Sequence, residues 1–208
     1  MTTIEKLTEI FKKFPGIGPR QAHRFVYYLL TRSAQHNDEL ARLVSLLRGT
    51  VVECAACHRF FENTTRTQTA RQMLCDIDRD VHRDATILMV VSRDVDLESV
   101  EKSGAYKGLY FVLGGSIPIL AEKPEERIRQ KELLEIVRAR VQEGLREIIL
   151  AMNVTPEGDH TGDYLTRILA PIVSDKIKIS RLGRGVSTGT ELEYSDSDTL
   201  KFALQNRG

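Results

Sequence analysis

Apolar residues over the first fifty positions recur at intervals of three and four. Ile4, Leu7, Ile10 and Phe11 make one stripe, and Ala22, Phe25, Val26, Leu29 and Leu30 make a second that should face inward. Leu40, Leu43, Leu46 and Leu47 follow in its successor. Residues so spaced share one face of a helix, so residues 1–50 are expected to be wholly helical. Thr3-Ile4-Glu5-Lys6 fits an N-cap and first turn. The first helix should end at Phe14-Pro15-Gly16-Ile17-Gly18-Pro19.

From Ala85 the pattern becomes alternating strands and helices. Ala85–Val91 is a continuous apolar run suited to a strand buried on both faces. Asp96 to Ser103 reads as a short helix with an aspartate N-cap and a stop at Gly104. Leu109–Leu113 reads as a second strand, and Glu125 to Glu143 as a long amphipathic helix carrying Ile128, Leu133, Leu134, Ile136, Val137 and Val141. The strand Glu147–Met152 breaks into a polar loop, then restarts as a helix with Tyr164, Leu165, Ile168 and Leu169 on one face. The strand Ile177–Ser180 and a glycine-rich segment, Arg181–Thr190, complete the series. Such alternation implies right-handed crossovers and a small parallel sheet.

Composition narrows the class. At 208 residues, 41% hydrophobic and 28% charged, the chain is an ordinary globular sequence, and a net charge of +1 gives no global pull toward nucleic acid or membrane. Before residue 50, however, Lys6, Lys12, Lys13, Arg20, Arg24, Arg32, Arg42 and Arg48 outnumber Glu5, Glu9, Asp38 and Glu39, which suggests an anionic partner. No run is long and apolar enough to span a bilayer and the N-terminus lacks a signal-peptide core, so a cytoplasmic location is expected. Three cysteines, an odd number, argue for metal binding or free thiols over a disulfide framework.

Three stretches carry candidate chemistry. In the Pro15-Gly16-Ile17-Gly18 turn, glycines let backbone amides approach an anion at the start of the next helix, whose dipole favours phosphate. Arg20 and Arg24, four apart, lie on one face beside it. The residues look like a helix-hairpin-helix, which grips DNA backbone without reading sequence; the alternative is a tight turn that merely needs glycine. Cys54-Ala55-Ala56-Cys57 and Cys75-Asp76-Ile77-Asp78 have the spacing of two chelating turns, with Asp78, a harder oxygen ligand, at the fourth place and His58 and His82 as alternatives. Between them, Arg59–Leu74 reads as a polar hairpin or loop. A redox role for the pair is disfavoured, because no thioredoxin-like pattern surrounds it. Glu157, Asp159 and Asp163 follow the central strand and read either as a Mg²⁺ site or as acids capping the next helix. No Gly-x-x-x-x-Gly-Lys-Ser/Thr run supports nucleotide hydrolysis.

The order of these motifs resembles the bacterial RecR recombination family over essentially the whole chain. The most family-specific part is the tail from Ser180-Arg181-Leu182-Gly183-Arg184-Gly185-Val186-Ser187-Thr188-Gly189-Thr190-Glu191 to Thr199-Leu200-Lys201-Phe202-Ala203-Leu204, and Leu113-Gly114-Gly115 fits as well. The resemblance implies an α+β, multi-module chain. Its parts would be a helix-hairpin-helix domain (1–52), a zinc-ribbon-like cysteine module (53–83), a Toprim α/β parallel-sheet domain (84–176) and a short C-terminal segment (177–208). It further implies a ring-forming DNA clamp, dimeric or tetrameric, that works with RecO, and in some lineages RecF, to load recombinase at single-stranded gaps. Gly16, Gly18, Arg20 and Arg24 would hold DNA, Cys54, Cys57, Cys75 and Asp78 would hold zinc, and Glu157 and Asp159 would face RecO. Departures are specific: the family usually has four cysteines and a shorter spacer, and its first Toprim strand typically ends in glutamate where this chain has Ser92. Asn153 and Thr155 stand where catalytic Toprim enzymes carry an aspartate pair. A Mg²⁺ centre for phosphoryl transfer needs several converging carboxylates, so a non-enzymatic role is expected; the rival is a Mg²⁺-dependent nuclease or primase using Glu157 and Asp159.

Overall fold

The computed structural model describes residues 1–63, 73–173, 176–183, 185, 186, 189 and 191–205. It divides into two compact units, Met1–Val52 and Glu53–Gly208.

The first unit is helical, with α1 (Thr3–Phe11), α2 (Pro19–Leu30) and α3 (Ala34–Thr50). Thr2, rather than Thr3, caps α1, because only Thr2 stands three residues before Glu5: its hydroxyl accepts from the Glu5 amide, and the Glu5 carboxylate accepts from the Thr2 amide at 2.8 Å. Phe11 meets Phe25 edge-on at 5.6 Å where α1 and α2 pack, and Ala22 and Val26 are buried. Leu30, expected to face inward, is exposed, as is Ile10 of the first stripe, since this two-helix contact is too narrow to cover both stripes in full. In α3 no side chain is buried, and Leu40, Leu43, Val44, Leu46 and Leu47 all face solvent.

The second unit begins with β1 (Val51–Glu53), within which the division falls, and β2 (Phe60–Glu62), which form a two-stranded ladder, followed by the short α4 (Asp76–Arg79). Most of the Arg59–Leu74 loop lies outside the described residues. The remaining elements are β3 (Asp84–Val91), α5 (Asp94–Ser103), β4 (Gly108–Val112), α6 (Gln130–Gln142), β5 (Glu147–Ala151), α7 (Pro156–Leu169), β6 (Lys178–Arg181) and α8 (Ser197–Gln205). The four-stranded sheet runs β4-β3-β5-β6 with every pairing parallel. Leu88–Val91 and all of β4 are buried, as their unbroken apolar runs require. Leu133 and Val137 of α6 and Leu165 and Leu169 of α7 complete the core.

Three helix boundaries differ from the periodicity. Helix α5 starts at Asp94, and Asp96 sits in its first turn, where its carboxylate accepts from the Arg93 amide rather than capping the helix. The expected helix over 125–143 is a 3₁₀ turn at Pro124–Glu126 followed by α6. Arg129 separates them because its amide is used by the Leu113 carbonyl and its guanidinium by the Val112 carbonyl. Helix α7 begins at Pro156, not after a polar loop: Thr155 caps it through the Gly158 amide, and Pro156 fills the first helical position, where its missing N–H costs nothing.

Candidate metal centre and nucleic-acid interface

Cys54 leaves β1 and enters a tight turn in which its carbonyl accepts from the His58 amide and its amide donates to the Arg59 carbonyl. His58 completes the turn with a φ of 61°, which frees Cys57 to point inward. Cys75 precedes α4 and Asp78 lies three residues on, hence on the same helical face. The turn and the helix together bring Cys54, Cys57, Cys75 and Asp78 within 4.8 Å of one another, and all three cysteines are fully buried. One Asp78 oxygen, Oδ2, lies 3.2 Å from the sulfurs of both Cys54 and Cys75; the other, Oδ1, is buried and lacks a hydrogen-bond partner.

An orphaned buried carboxylate oxygen is costly unless something else binds it. Four ligand atoms about a tetrahedral cation with metal–sulfur bonds of ~2.3 Å sit ~3.8 Å apart. The Cys57 and Cys75 sulfurs are 3.6 Å apart. The donor set thus fits a small metal ion. Without a cation the four groups share protons: burial lifts the Asp78 carboxyl to about 6, and contact with the Cys54 and Cys75 sulfurs pushes the Cys57 thiol up. Neither histidine joins the group. The His58 ring pairs with Glu53 at 2.6 Å and packs edge-on against Phe111, while His82 is exposed. The centre is tied to the sheet, because the Cys57 carbonyl accepts from the Val112 amide of β4 at 2.8 Å.

Glu53 also pairs with Arg129 at 3.3 Å, so one carboxylate joins the cysteine turn to the segment before α6. This link was invisible in the sequence, since nothing in a lone glutamate marks a partner 76 positions away.

At the helical turn, Gly16 adopts a φ of 75°, a backbone state that side-chain-bearing residues avoid. Gly18 caps α2 and Pro19 takes its first position, so the amides of Arg20 and Gln21 lie in a first turn that has no intrahelical acceptor. Arg20 and Arg24 are exposed, and among the described residues neither meets a carboxylate. Within the same unit, Glu9 pairs with Lys12 and Glu39 with Arg42. The four predicted DNA-binding residues therefore fall on one short stretch. Tyr27 and Tyr28, not singled out from sequence, extend this exposed face; their spacing of three and four from Arg24 was the available signal.

At the carboxyl ends of β3 and β5 the picture differs. Ser92 is buried with its hydroxyl 3.5 Å from the Met152 sulfur, Asn153 is exposed, and Thr155 is occupied in capping. Glu157 and Asp159 occupy the first turn of α7, where acids complement the dipole. Asp163 pairs with Arg181 of β6, which holds its carboxyl below the usual range. The three acids do not converge: among the described residues, the cysteine cluster is the grouping of three or more metal-capable side chains.

Comparison with known proteins agrees with this order of parts. Residues 4–46 match the family model described as RecR, helix-hairpin-helix, residues 86–183 match the Toprim domain, and residues 185–207 match RecR, C-terminal. These matches define a modular DNA-recombination protein on a Toprim scaffold. Recombination protein RecR of Magnetococcus marinus is 36% identical over 207 residues, covering 100% of this chain and 96% of the relative. The protein of the same name from Chlorobium chlorochromatii is 36% identical over 204 residues (98% and 95%), and that of Herpetosiphon aurantiacus is 37% identical over 205 (98% and 93%). The chain belongs to the RecR family.

Proposed function

We propose that this chain is a non-enzymatic DNA clamp of recombinational repair, working in the cytoplasm with RecO, and with RecF where present, to load recombinase at single-stranded gaps. The observation that carries this reading is the pair Arg20 and Arg24 beside the Gly16–Gly18 turn, both exposed and, among the described residues, neither meeting a carboxylate. Phosphates bind there through backbone amides and charge, without base readout.

The exposed face of α3 supports self-association into a ring. A helix of 17 residues with no buried side chain gains little from its own chain, and Leu40, Leu43, Val44 and Leu47 share one face that a second copy would cover. Zinc is the metal that three thiolates and one carboxylate suit best, and it would cross-link the turn at Cys54 to α4. Glu157 and Asp159, exposed or partly exposed at the start of α7, serve as a docking surface for RecO. The helical unit, cysteine module, Toprim sheet and tail act as four modules.

Replacing both Arg20 and Arg24 by alanine tests the reading. DNA affinity should fall for every sequence, and the slope of log affinity against log salt should shrink by about two. Unchanged affinity at low salt would refute it.

A further inference from the structure

The DNA-facing side of α2 carries more than charge. On a helical wheel, Arg20, Arg24 and Tyr27 fall within ~60° of one another, on the side turned away from buried Ala22 and Val26. Helix α2 contains no acid. Tyr27 is 56% exposed and Tyr28 48%. The two rings are not equivalent. Tyr28 has Arg32 over its face at 4.1 Å and His36 against its edge. Tyr27 stacks with His23, the planes 22° apart and the centroids 6.3 Å apart; among the described residues no cation lies over its ring, which is more than half exposed.

We infer that Tyr27, steadied by His23, is a stacking platform for an unpaired base, so that the α2 face takes single-stranded DNA by its bases as well as its phosphates. The inference rests on the reading that α2 carries the DNA interface. Arg20 and Arg24 lie up to two helical turns from Tyr27, ~10 Å, so phosphates on the arginines place a neighbouring base over the ring. A duplex hides its base faces within the stack and cannot use the platform. Stacking on an aromatic ring is tolerant of sequence, and flanking arginines are its usual companions.

The test compares two single strands with identical phosphates, an oligothymidylate and an abasic strand of the same length, by fluorescence anisotropy. Wild type should bind the thymidylate about tenfold more tightly than the abasic strand. Tyr27→Ala should bind both with the abasic affinity, and Tyr27→Phe should keep the tenfold difference. The protein has no tryptophan, so tyrosine emission should fall when wild type binds thymidylate and fall less in Tyr27→Phe. Two results would overturn the platform: wild type that treats the two strands alike, or Tyr27→Ala that keeps the difference. So would a Tyr27→Ala protein of altered mass in light scattering that loses both strands equally, since Tyr27 would then be a subunit contact. Binding of both strands that depends on Arg20 and Arg24 but ignores the bases would sink this inference alone. Failure to bind either strand would sink the clamp reading with it.

Discussion

Replacing Asp78 by asparagine separates what the fourth side chain does for the fold from what it does for a metal. In the metal-free protein, burial lifts the Asp78 carboxyl from 3.8 to about 6. The folded state then holds this proton more tightly than the unfolded chain does. The site is therefore most favourable to folding below the ordinary value of 3.8, and that contribution is lost as pH rises through about 6. At roughly 1.4 kcal/mol per pH unit, the ionised carboxylate costs the metal-free fold about 3 kcal/mol near neutral pH. Asparagine keeps the shape and carries no charge. Chelator-treated Asp78→Asn should thus be more stable than chelator-treated wild type by up to about 3 kcal/mol near neutral pH, with the gap closing below about pH 4.

With metal the order should reverse, because a neutral amide is a poorer ligand than a carboxylate and metal binding is itself folding free energy. The assay is urea unfolding followed by circular dichroism across this pH range, with each protein zinc-loaded and chelator-treated. A chelator-treated variant that is less stable than wild type near neutral pH, or a gap that ignores pH, would refute the reasoning. Equal stability of the two zinc-loaded proteins would remove Asp78 from the ligand set.

Two further substitutions probe the scaffold. A Cβ on Gly158 would lie 2.0 Å from the Asn153 carbonyl oxygen, so Gly158→Ala must push α7 off the end of β5; a loss of about 2–3 kcal/mol, read as a lowered Tm, is expected. Glu101 accepts from both nitrogens of the Arg83 fork and from Tyr110, and the Arg83 guanidinium holds its carboxyl below the usual range. Its contribution is present above the ordinary carboxylate value and is lost as pH falls through the folded one. Glu101→Gln should therefore cost about 1–3 kcal/mol at neutral pH and progressively less in acid, measured by urea unfolding at each pH.

Local spacing made the outline of this chain readable. The strands at Ala85–Val91 and Glu147–Met152 were legible as apolar runs of strand length, but burial on both faces holds only for Leu88–Val91 of β3, with Ala85 exposed. Cys54, Cys57, Cys75 and Asp78 were legible because chelation by short turns fixes their separations. Spacing could not choose among Asp78, His58 and His82; the αL turn at His58 and its pairing with Glu53 made that choice. Periodicity also says that a helix face is apolar but not what covers it, so the exposed leucines of α3 read the same as a core stripe. Pro156 reads as a loop residue until Thr155 is seen to cap the helix it begins. Contacts distant in sequence, Glu53 with Arg129 and Arg83 with Glu101, left no local trace.

The claim that this protein holds DNA without cutting it is tested most directly on supercoiled plasmid in Mg²⁺ or Mn²⁺. Protein-bound plasmid, stripped of protein after incubation, should be recovered fully supercoiled. Metal-dependent nicked circles that vanish in Glu157→Gln would contradict the account.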